Sequence, residues 1–334
     1  MPNLLELPAT TLPEDSRPPP VADRRPLREA LASSGGLAVP AWFDRIASLL
    51  LDRSALVVAG RAHRLREVEL YLHGPGHEDP FAHRDPRQVS SRRWYLHRQG
   101  GSYRAGTYKG IDLTFGPPSA RGGILLRSLS TPEGRLVSGS SLCVDHLLAR
   151  TGLGTVAALD RALGEMDDPT RPVHLAPRPP SELAAIVSPG SPGAPRSPFA
   201  GPAPLRVRSA RVGLTLKRAA QWPTMPAFLL RPYRYLDALR TIRKGRPQVV
   251  LALLRGGAAV EEVVERLGTP RRTVEAYLAA YRAGRALRSS RPFWGRALTS
   301  LDLCRLSGWW DAASAGPGAV TSRPRGPGPG PESP

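Results

Sequence analysis

Short β-like segments broken by Gly and Pro most constrain the fold of this chain. Four of them show alternating or continuous apolar residues: SALVVAG (54–60), REVELYL (66–72), KGIDLTFG (109–116) and GGILLRSL (122–129). Segments of this length and spacing are typical of antiparallel pairing. We therefore predict a mixed α/β (α+β) fold with a mostly antiparallel sheet core flanked by helices. A further strand is predicted in RVGLTL (211–216).

Two helices are predicted beside this sheet. In PAWFDRIASLLL (40–51), Trp42, Ile46, Leu49 and Leu50 recur at helical spacing and indicate one buried face. The segment SGSSLCVDHLLARTG (138–152) begins with small capping residues and stops at Gly152, so both of its ends are readable.

A third pattern lies nearer the C-terminus and predicts a small all-α helix-turn-helix. Val260 to Leu267 would form the first helix, and Arg271 to Tyr281 would follow a Gly-Thr-Pro turn in the recognition position. The segment 237–291 carries 12 Lys and Arg against 5 Asp and Glu, a net charge of +7. Arg271, Arg272 and Thr273 open the recognition helix, where they could contact DNA phosphates. A packing bundle or a dimerisation unit is the alternative, because many three-helix units bind no DNA.

Pro-, Gly- and Ser-rich stretches set the predicted boundaries. The arm 1–37 and the tail of the C-terminal segment 292–334 are expected to be disordered. Between them we expect a domain over 38–236, interrupted by a Pro/Gly-rich loop at 186–204, and then the helix-turn-helix segment 237–291.

The composition of the chain indicates which classes of partner and which compartment to expect. The net charge of +19 favours a polyanion such as nucleic acid, although a GC-rich genome that encodes arginine freely would give the same excess. Cys143 and Cys304 lie far apart and suggest no disulfide framework, which fits a reducing, intracellular compartment: bacterial cytoplasm or nucleoid, or a eukaryotic nucleus. No apolar run reaches the length of a membrane span and no signal peptide is evident, so no membrane partner is expected.

The stretch REVELYLHGPGHEDPFAH (66–83) contains the candidate chemistry. His73, His77 and His83 have the spacing of one class of zinc protease, but Gly74-Pro75-Gly76 breaks the helix that would bring the rings together, so no metal site is predicted. Strand alternation places Glu67, Glu69 and Tyr71 on the face opposite Val68, Leu70 and Leu72. Periodicity alone favours a solvated polar face, with a pocket wall as the alternative.

The order of these segments resembles that of the alkyladenine (3-methyladenine) DNA glycosylases of mammals and many bacteria. The resemblance covers about residues 38–236 and is strongest in GGILLRSLSTPEG and SGSSLCVDHLLA. It implies that Glu69 is the general base and that Tyr71 and His83 flank a base flipped out of the duplex. It also implies that Arg127 forms part of the pocket wall and its water network. No metal or organic cofactor is implied, and no lysine nucleophile, so no strand cleavage is expected.

The chain departs from the family where a Tyr-rich strand is expected. In GSYRAGTYKG the stacking tyrosine falls on Gly106 and the wedge on Lys109, and Gly116 replaces an asparagine that helps to exclude guanine. Tyr108 would point to the opposite face if this segment were a strand.

Basic and aromatic residues follow the candidate base directly. We expect DNA contacts from Arg84, Arg87, Arg92, Arg93, Tyr108 and Lys109, since charge supplies affinity and rings accept bases. An ordinary basic loop is the alternative reading.

The resemblance implies a monofunctional glycosylase that removes a damaged, alkylated purine from duplex DNA in base excision repair. A catalytically silent DNA-binding or regulatory protein on the same core is one alternative. A glycosidase that acts on single strands or nucleosides is another.

Overall fold

The computed structural model describes residues 23–178, 206–242 and 244–315. The predicted loop 186–204, the first 22 residues of the arm and the predicted tail lie outside the described residues. In that part of the chain the helices are α1 Arg25–Ala32, α2 Val39–Arg53, α3 Ser140–Thr151, α4 Val156–Ala162, α5 Met225–Leu230, α6 Arg246–Arg255, α7 Val260–Leu267, α8 Arg271–Gly284 and α9 Ser300–Ala315.

Twelve strands accompany these helices over the described ranges. They are β1 Ser54–Val58, β2 Arg61–Gly74, β3 His77–Glu78, β4 Trp94–Leu96, β5 Arg98–Gln99, β6 Ser102–Tyr103, β7 Ile111–Phe115, β8 Arg121–Ser130, β9 Leu136–Ser138, β10 Val173–Pro177, β11 Val207–Ser209 and β12 Arg234–Leu236.

One large sheet organises the molecule. Its main path runs β10-β1-β2-β8-β7-β4, while β12 pairs with β2, β11 with β12, β3 with β2 and β9 with β8. Every pairing between the described strands is antiparallel, which confirms the predicted mixed α/β fold. The long strand β2 lies at the centre, bordered by β8 on one side and by β1 and β12 on the other.

The main core lies on the apolar face of β2. Val68 and Leu70 have no exposed surface, and Leu72 is also buried; all three pack in one cluster with residues of α2 such as Phe43 and Ile46. The predicted alternation of β2 is therefore confirmed. The predicted helices at 40–51 and 138–152 correspond to α2 and α3, and α3 ends at Gly152 in the left-handed conformation.

Helix α1 corrects the predicted disordered arm, because the chain is already helical from Arg25. Leu27, Ala30 and Leu31 are buried at helical spacing, and Trp42 Nε1 donates a hydrogen bond to the Ala30 carbonyl at 2.6 Å. The helical spacing of these apolar residues covers only eight positions and lies within a Pro- and Arg-rich stretch, so the sequence alone did not indicate a helix there.

The predicted strand in RVGLTL is wrong. The strand forms earlier, at β11, and residues 211–216 are irregular. Gly213 has a φ of +81°, a conformation that turns the chain and interrupts a strand. The N–H of Val212 donates to the Glu69 side chain instead of to a neighbouring strand.

Helices α6, α7 and α8 form the helix-turn-helix, with Gly268 at φ +59° ending α7. Its apolar core includes Val207 of β11 and Leu236 of β12. On its other side α8 packs closely on α9, where a Cβ at Gly308 would lie 2.0 Å from the Tyr281 carbonyl oxygen. The helix-turn-helix is therefore built onto the edge of the sheet through shared core residues.

None of the described helices is by itself long and apolar enough to span a bilayer. Helices α3 and α4, bent by 70° at their junction, meet the length and composition test only as a pair.

Candidate active site

Two carboxylates of β2 meet one guanidinium of β8. Glu67 and Glu69 point from the same face of β2 towards Arg127, even though the β2–β8 register shifts at Glu67. All three side chains are buried, and Glu69 is only 4% exposed. The solvated polar face that periodicity alone favours is therefore wrong for Glu69, because β8, β12 and the chain at Val212 cover it.

Glu67 is fully engaged by donors. Its Oε1 accepts from Arg127 Nε at 3.0 Å and from Arg234 Nε at 2.7 Å, and its Oε2 accepts from Ser128 Oγ at 3.1 Å. Burial by itself would raise the pKa of this carboxyl, but the Arg234 and Arg127 cations reverse that effect and lower its pKa. A carboxylate that is stabilised in this way is a poor proton acceptor.

Glu69 has fewer partners. Its Oε1 accepts from the Val212 N–H at 2.8 Å, while its Oε2 is 3.4 Å from Arg127 Nη1, close to the limit for a hydrogen bond. The carboxylate can accept about four hydrogen bonds, so it keeps capacity for a water molecule. Of the two glutamates, Glu69 is the better candidate for a general base.

A cavity of about 360 Å³ lies beside this pair. Glu67, Arg127 and Val212 line it; Glu69 lies directly behind the last two. Leu142 of α3 and Lys244, which precedes α6, line other parts of the wall. Burial opposes the charge on Arg127, but Glu69 and Glu67 more than offset it and raise the guanidinium pKa, so the wall keeps a fixed positive charge.

Tyr71 and His83 lie together in a buried polar cluster. Tyr71 is 5% exposed, and its hydroxyl donates to Asp112 and accepts from Gln88 Nε2. Along β2 it is ~7 Å from Glu69, two residues on the same face. The ring centroids of Tyr71 and His83 are 5.9 Å apart at an angle of 43°. A base held between two rings needs a parallel slot of about 7 Å, twice the spacing of stacked bases, so the rings leave no such slot in this conformation.

Asp112 and His97 complete this cluster. His97 Nε2 lies 2.8 Å from Asp112 Oδ1, and the rings of His97 and His83 are 4.1 Å apart. Burial favours a protonated Asp112, but its contact with His97 more than offsets this and lowers the carboxyl pKa. Burial, reinforced by nearby His97, lowers the pKa of His83 to about 4. The acid within the apolar segment KGIDLTFG was the sequence signal for this cluster, and sequence reasoning missed it.

His73 and His77 do not join the candidate site. His77 has both ring nitrogens occupied, by the Leu72 carbonyl at 2.9 Å and by the Tyr233 hydroxyl at 2.9 Å, and the His73 ring lies 3.3 Å from the Asp79 carbonyl oxygen. Across the described ranges, no group of three or more His, Cys, Asp or Glu could hold a metal ion. Cys143 and Cys304 are free and buried.

The basic residues that follow His83 are dispersed. Arg84 lies over the Trp222 ring at 5.1 Å, and Arg87 is 3.4 Å from Asp160. Arg93 is exposed, whereas Arg92 is half-buried at a φ of +66°.

The segment around Tyr108 is a short 3-10 turn, Gly106–Tyr108, and not a strand. The Tyr108 side chain consequently stands out at 73% exposure, next to Thr107 on the cavity wall. Leu142, also on that wall, is 47% exposed. Lys109 forms an ion pair with Asp145 of α3, which holds its ammonium away from solvent.

The first residues of α8 are exposed, but the charge of one of them is neutralised by acidic neighbours. Arg271 is paired with Glu261 at 2.6 Å and with Glu275 at 2.7 Å. Arg272 is exposed, and Thr273 is half-buried.

The chain was compared with known families and proteins. No family model matches the chain. An uncharacterized protein of Acanthamoeba polyphaga mimivirus is 34% identical over 122 residues, which cover 32% of this chain and 56% of that protein. The chain thus spans little more than half the length of this relative, whose name assigns no activity.

Proposed function

We propose that the protein is a DNA glycosylase that hydrolyses the N-glycosidic bond of a damaged, alkylated purine in base excision repair. The observation that carries the proposal is the burial and the hydrogen bonding of the Glu69 side chain. It is a buried carboxylate with free acceptor capacity that contacts Arg127 and the Val212 N–H, two groups on the wall of the cavity.

Hydrolysis of an N-glycosidic bond needs a carboxylate such as Glu69. Cleavage of the bond between base and sugar develops positive charge on the sugar, and a nearby carboxylate stabilises that charge and deprotonates the attacking water. Arg127 helps to position Glu69, because its Nη1 lies 3.4 Å from the Glu69 Oε2 atom. The reaction requires no metal or organic cofactor.

Exposed apolar side chains support a duplex substrate. Tyr108 and Leu142 stand beside the cavity where a flipped base would enter, and a side chain that fills the vacated stack offsets the cost of extrusion. Tyr108 is the better placed of the two, because it is the more exposed. The excess of 47 Lys and Arg over 28 Asp and Glu supports a polyanionic partner.

One observation favours a second candidate, a DNA-binding protein without activity. Tyr71 and His83 contact each other through a buried network and leave no slot between them. If the protein is a glycosylase, the flipped purine either lies against the edge of the Tyr71–His83 cluster or enters between these two rings after they move apart.

A base-release assay on three substrates separates the candidates. The full chain is incubated with an alkylated duplex, the same strand without its complement, and the free alkylated nucleoside. We expect the fastest release from the duplex, and we expect Tyr108→Ala to slow release from the duplex much more than from the single strand. Equal release from strand and nucleoside would indicate a single-strand or nucleoside glycosidase, and release from none would indicate a silent DNA-binding protein.

A further inference from the structure

Lys244 is a free amine on the wall of the candidate cavity. The chain has only three lysines, Lys109, Lys217 and Lys244, among its 47 basic residues. Lys109 is paired with Asp145, whereas Lys244 has no ion pair within the described residues. Arginine supplies nearly all of the positive charge, so Lys244 provides something at this cavity that its abundant neighbours cannot: an amine that can lose its proton and act as a nucleophile.

The backbone of Lys244 is held by the buried site network. Arg234 is 1% exposed; its Nε donates to Glu67 at 2.7 Å, and its two Nη atoms donate to the carbonyls of Lys244 at 3.1 Å and Gly245 at 3.2 Å. Gly245 has a φ of +77°, and a Cβ there would lie 2.2 Å from Arg234 Nη1. The main chain is therefore tied through Arg234 to Glu67, while the exposed side chain lies on the cavity wall.

We propose that Lys244 gives the protein an abasic-site lyase activity. The substrate is the abasic deoxyribose left in DNA once a base is lost, so the inference rests on the proposed function for its biological setting. It replaces the expectation of no strand cleavage, which rested on the resemblance alone. Lysine amines form imines with carbonyl substrates, and the ring-opened abasic sugar presents an aldehyde at C1′.

The steps balance without an oxidant or a reductant. The Lys244 ammonium first gives up a proton to solvent; the amine then adds to C1′, and a water molecule leaves to form the imine. A base removes one C2′ proton, and Glu69 is the carboxylate of the site with capacity to accept it. The C3′–O bond then breaks, which releases the downstream strand with a 5′-phosphate. Water finally hydrolyses the imine, frees the unsaturated aldehyde and regenerates the amine.

Borohydride trapping tests the imine directly. The full-length protein is mixed with a duplex that contains a preformed abasic site, sodium borohydride is added, and the covalent adduct is quantified on a denaturing gel. We expect an adduct with the wild type and at least a tenfold smaller trapped fraction with Lys244→Arg, which keeps the charge but removes the nucleophile. Lys217→Arg, a matched change at an exposed lysine outside the cavity, should trap like the wild type.

Peptide mapping gives a second readout that does not depend on the variants. The adduct should map to Lys244. No adduct, equal trapping by the wild type and Lys244→Arg, or an adduct on another amine would overturn the proposal. Because the abasic site is preformed, trapping does not require base release. A trapped adduct without base release therefore contradicts only the proposed glycosylase, and base release without an adduct contradicts only the lyase.

Discussion

Glu67 and Glu69 differ in their surrounding donors although one residue separates them. Two guanidinium groups and a hydroxyl satisfy Glu67, whereas one backbone N–H and one distant guanidinium contact Glu69. The first arrangement suits a structural anion that positions Arg127 and Arg234. The second leaves a carboxylate able to bind and deprotonate water.

Matched amide substitutions should separate these roles in stability. Glu67→Gln leaves the buried Arg234 guanidinium without a carboxylate and Arg127 with the distant Glu69 alone, so we expect it to lower the free energy of unfolding by about 3–5 kcal/mol. Glu69→Gln loses one good hydrogen bond and one weak contact and should cost about 1–2 kcal/mol. Urea unfolding at pH 7 measures both. Equal losses for the two variants would contradict the distinction.

His83 makes stability depend on pH. Burial, aided by His97, lowers its pKa from 6.5 to about 4, so the folded protein disfavours the protonated ring. The stabilising contribution of the neutral ring is complete above pH 6.5 and is lost as the pH falls towards 4, where the unfolded chain takes up the proton first. Between pH 7 and 5 this amounts to at most about 2 kcal/mol at 1.4 kcal/mol per pKa unit.

The comparison of His83→Asn with the wild type tests this assignment. The variant should lose less stability between pH 7 and pH 5 in urea unfolding. His146, whose pKa burial and nearby His63 also lower to about 4, should maintain the remaining pH dependence. An unchanged slope in the variant would show that the His83 ring is not held neutral by its surroundings.

At the scale of elements, the helix-turn-helix and the candidate site are joined through Arg234. This side chain on β12 binds Glu67 and the backbone that precedes α6, while Val207 and Leu236 complete the core of α6–α8. Removal of the helices would therefore expose apolar surface and leave Arg234 without its carbonyl partners. Surface substitutions test DNA binding more cleanly than truncation does.

Adjacent arginines on α8 offer such a test. Glu261 and Glu275 already compensate the charge of Arg271, whereas Arg272 is exposed and has no ion pair in the described part of the chain. If α8 contacts phosphates, Arg272→Ala should weaken DNA binding and reduce the slope of log K against log salt concentration by about 1. Arg271→Ala should change the slope less. Salt titrations of binding by fluorescence anisotropy provide the measurement, and no change with Arg272→Ala would remove α8 from the interface.

At the scale of the molecule, local patterns predicted the elements better than the site. Helices α2 and α3 and the core face of β2 followed from periodicity and caps, because those signals are local. The strand in RVGLTL failed, since a Glu69 contact from β2 redirects the Val212 N–H. The burial of Glu69 was not readable from alternation, because it depends on β8, β12 and a loop more than 140 positions away.

Contacts between segments that are distant in the sequence also explain why sequence reasoning missed some residues of the site. Asp112 and His97 meet Tyr71 through pairings between distant strands. Lys244 reaches the cavity because Arg234 fixes its backbone. Apart from the acid inside the apolar segment KGIDLTFG, neither arrangement leaves a signal in the sequence. The resemblance selected Glu69, Tyr71 and His83, and the structure brings Glu69 to Arg127 and Tyr71 to His83.

The rate of base release under single-turnover conditions tests the central claim most directly. With an alkylated duplex at pH 7, the wild-type protein should release the base, and Glu69→Gln should do so about 10²–10⁴-fold more slowly while binding the duplex with unchanged affinity. Glu67→Gln, assayed at a temperature at which it is folded, should lose less. Equal rates for the wild type and Glu69→Gln would contradict the role of Glu69 as the base that activates water.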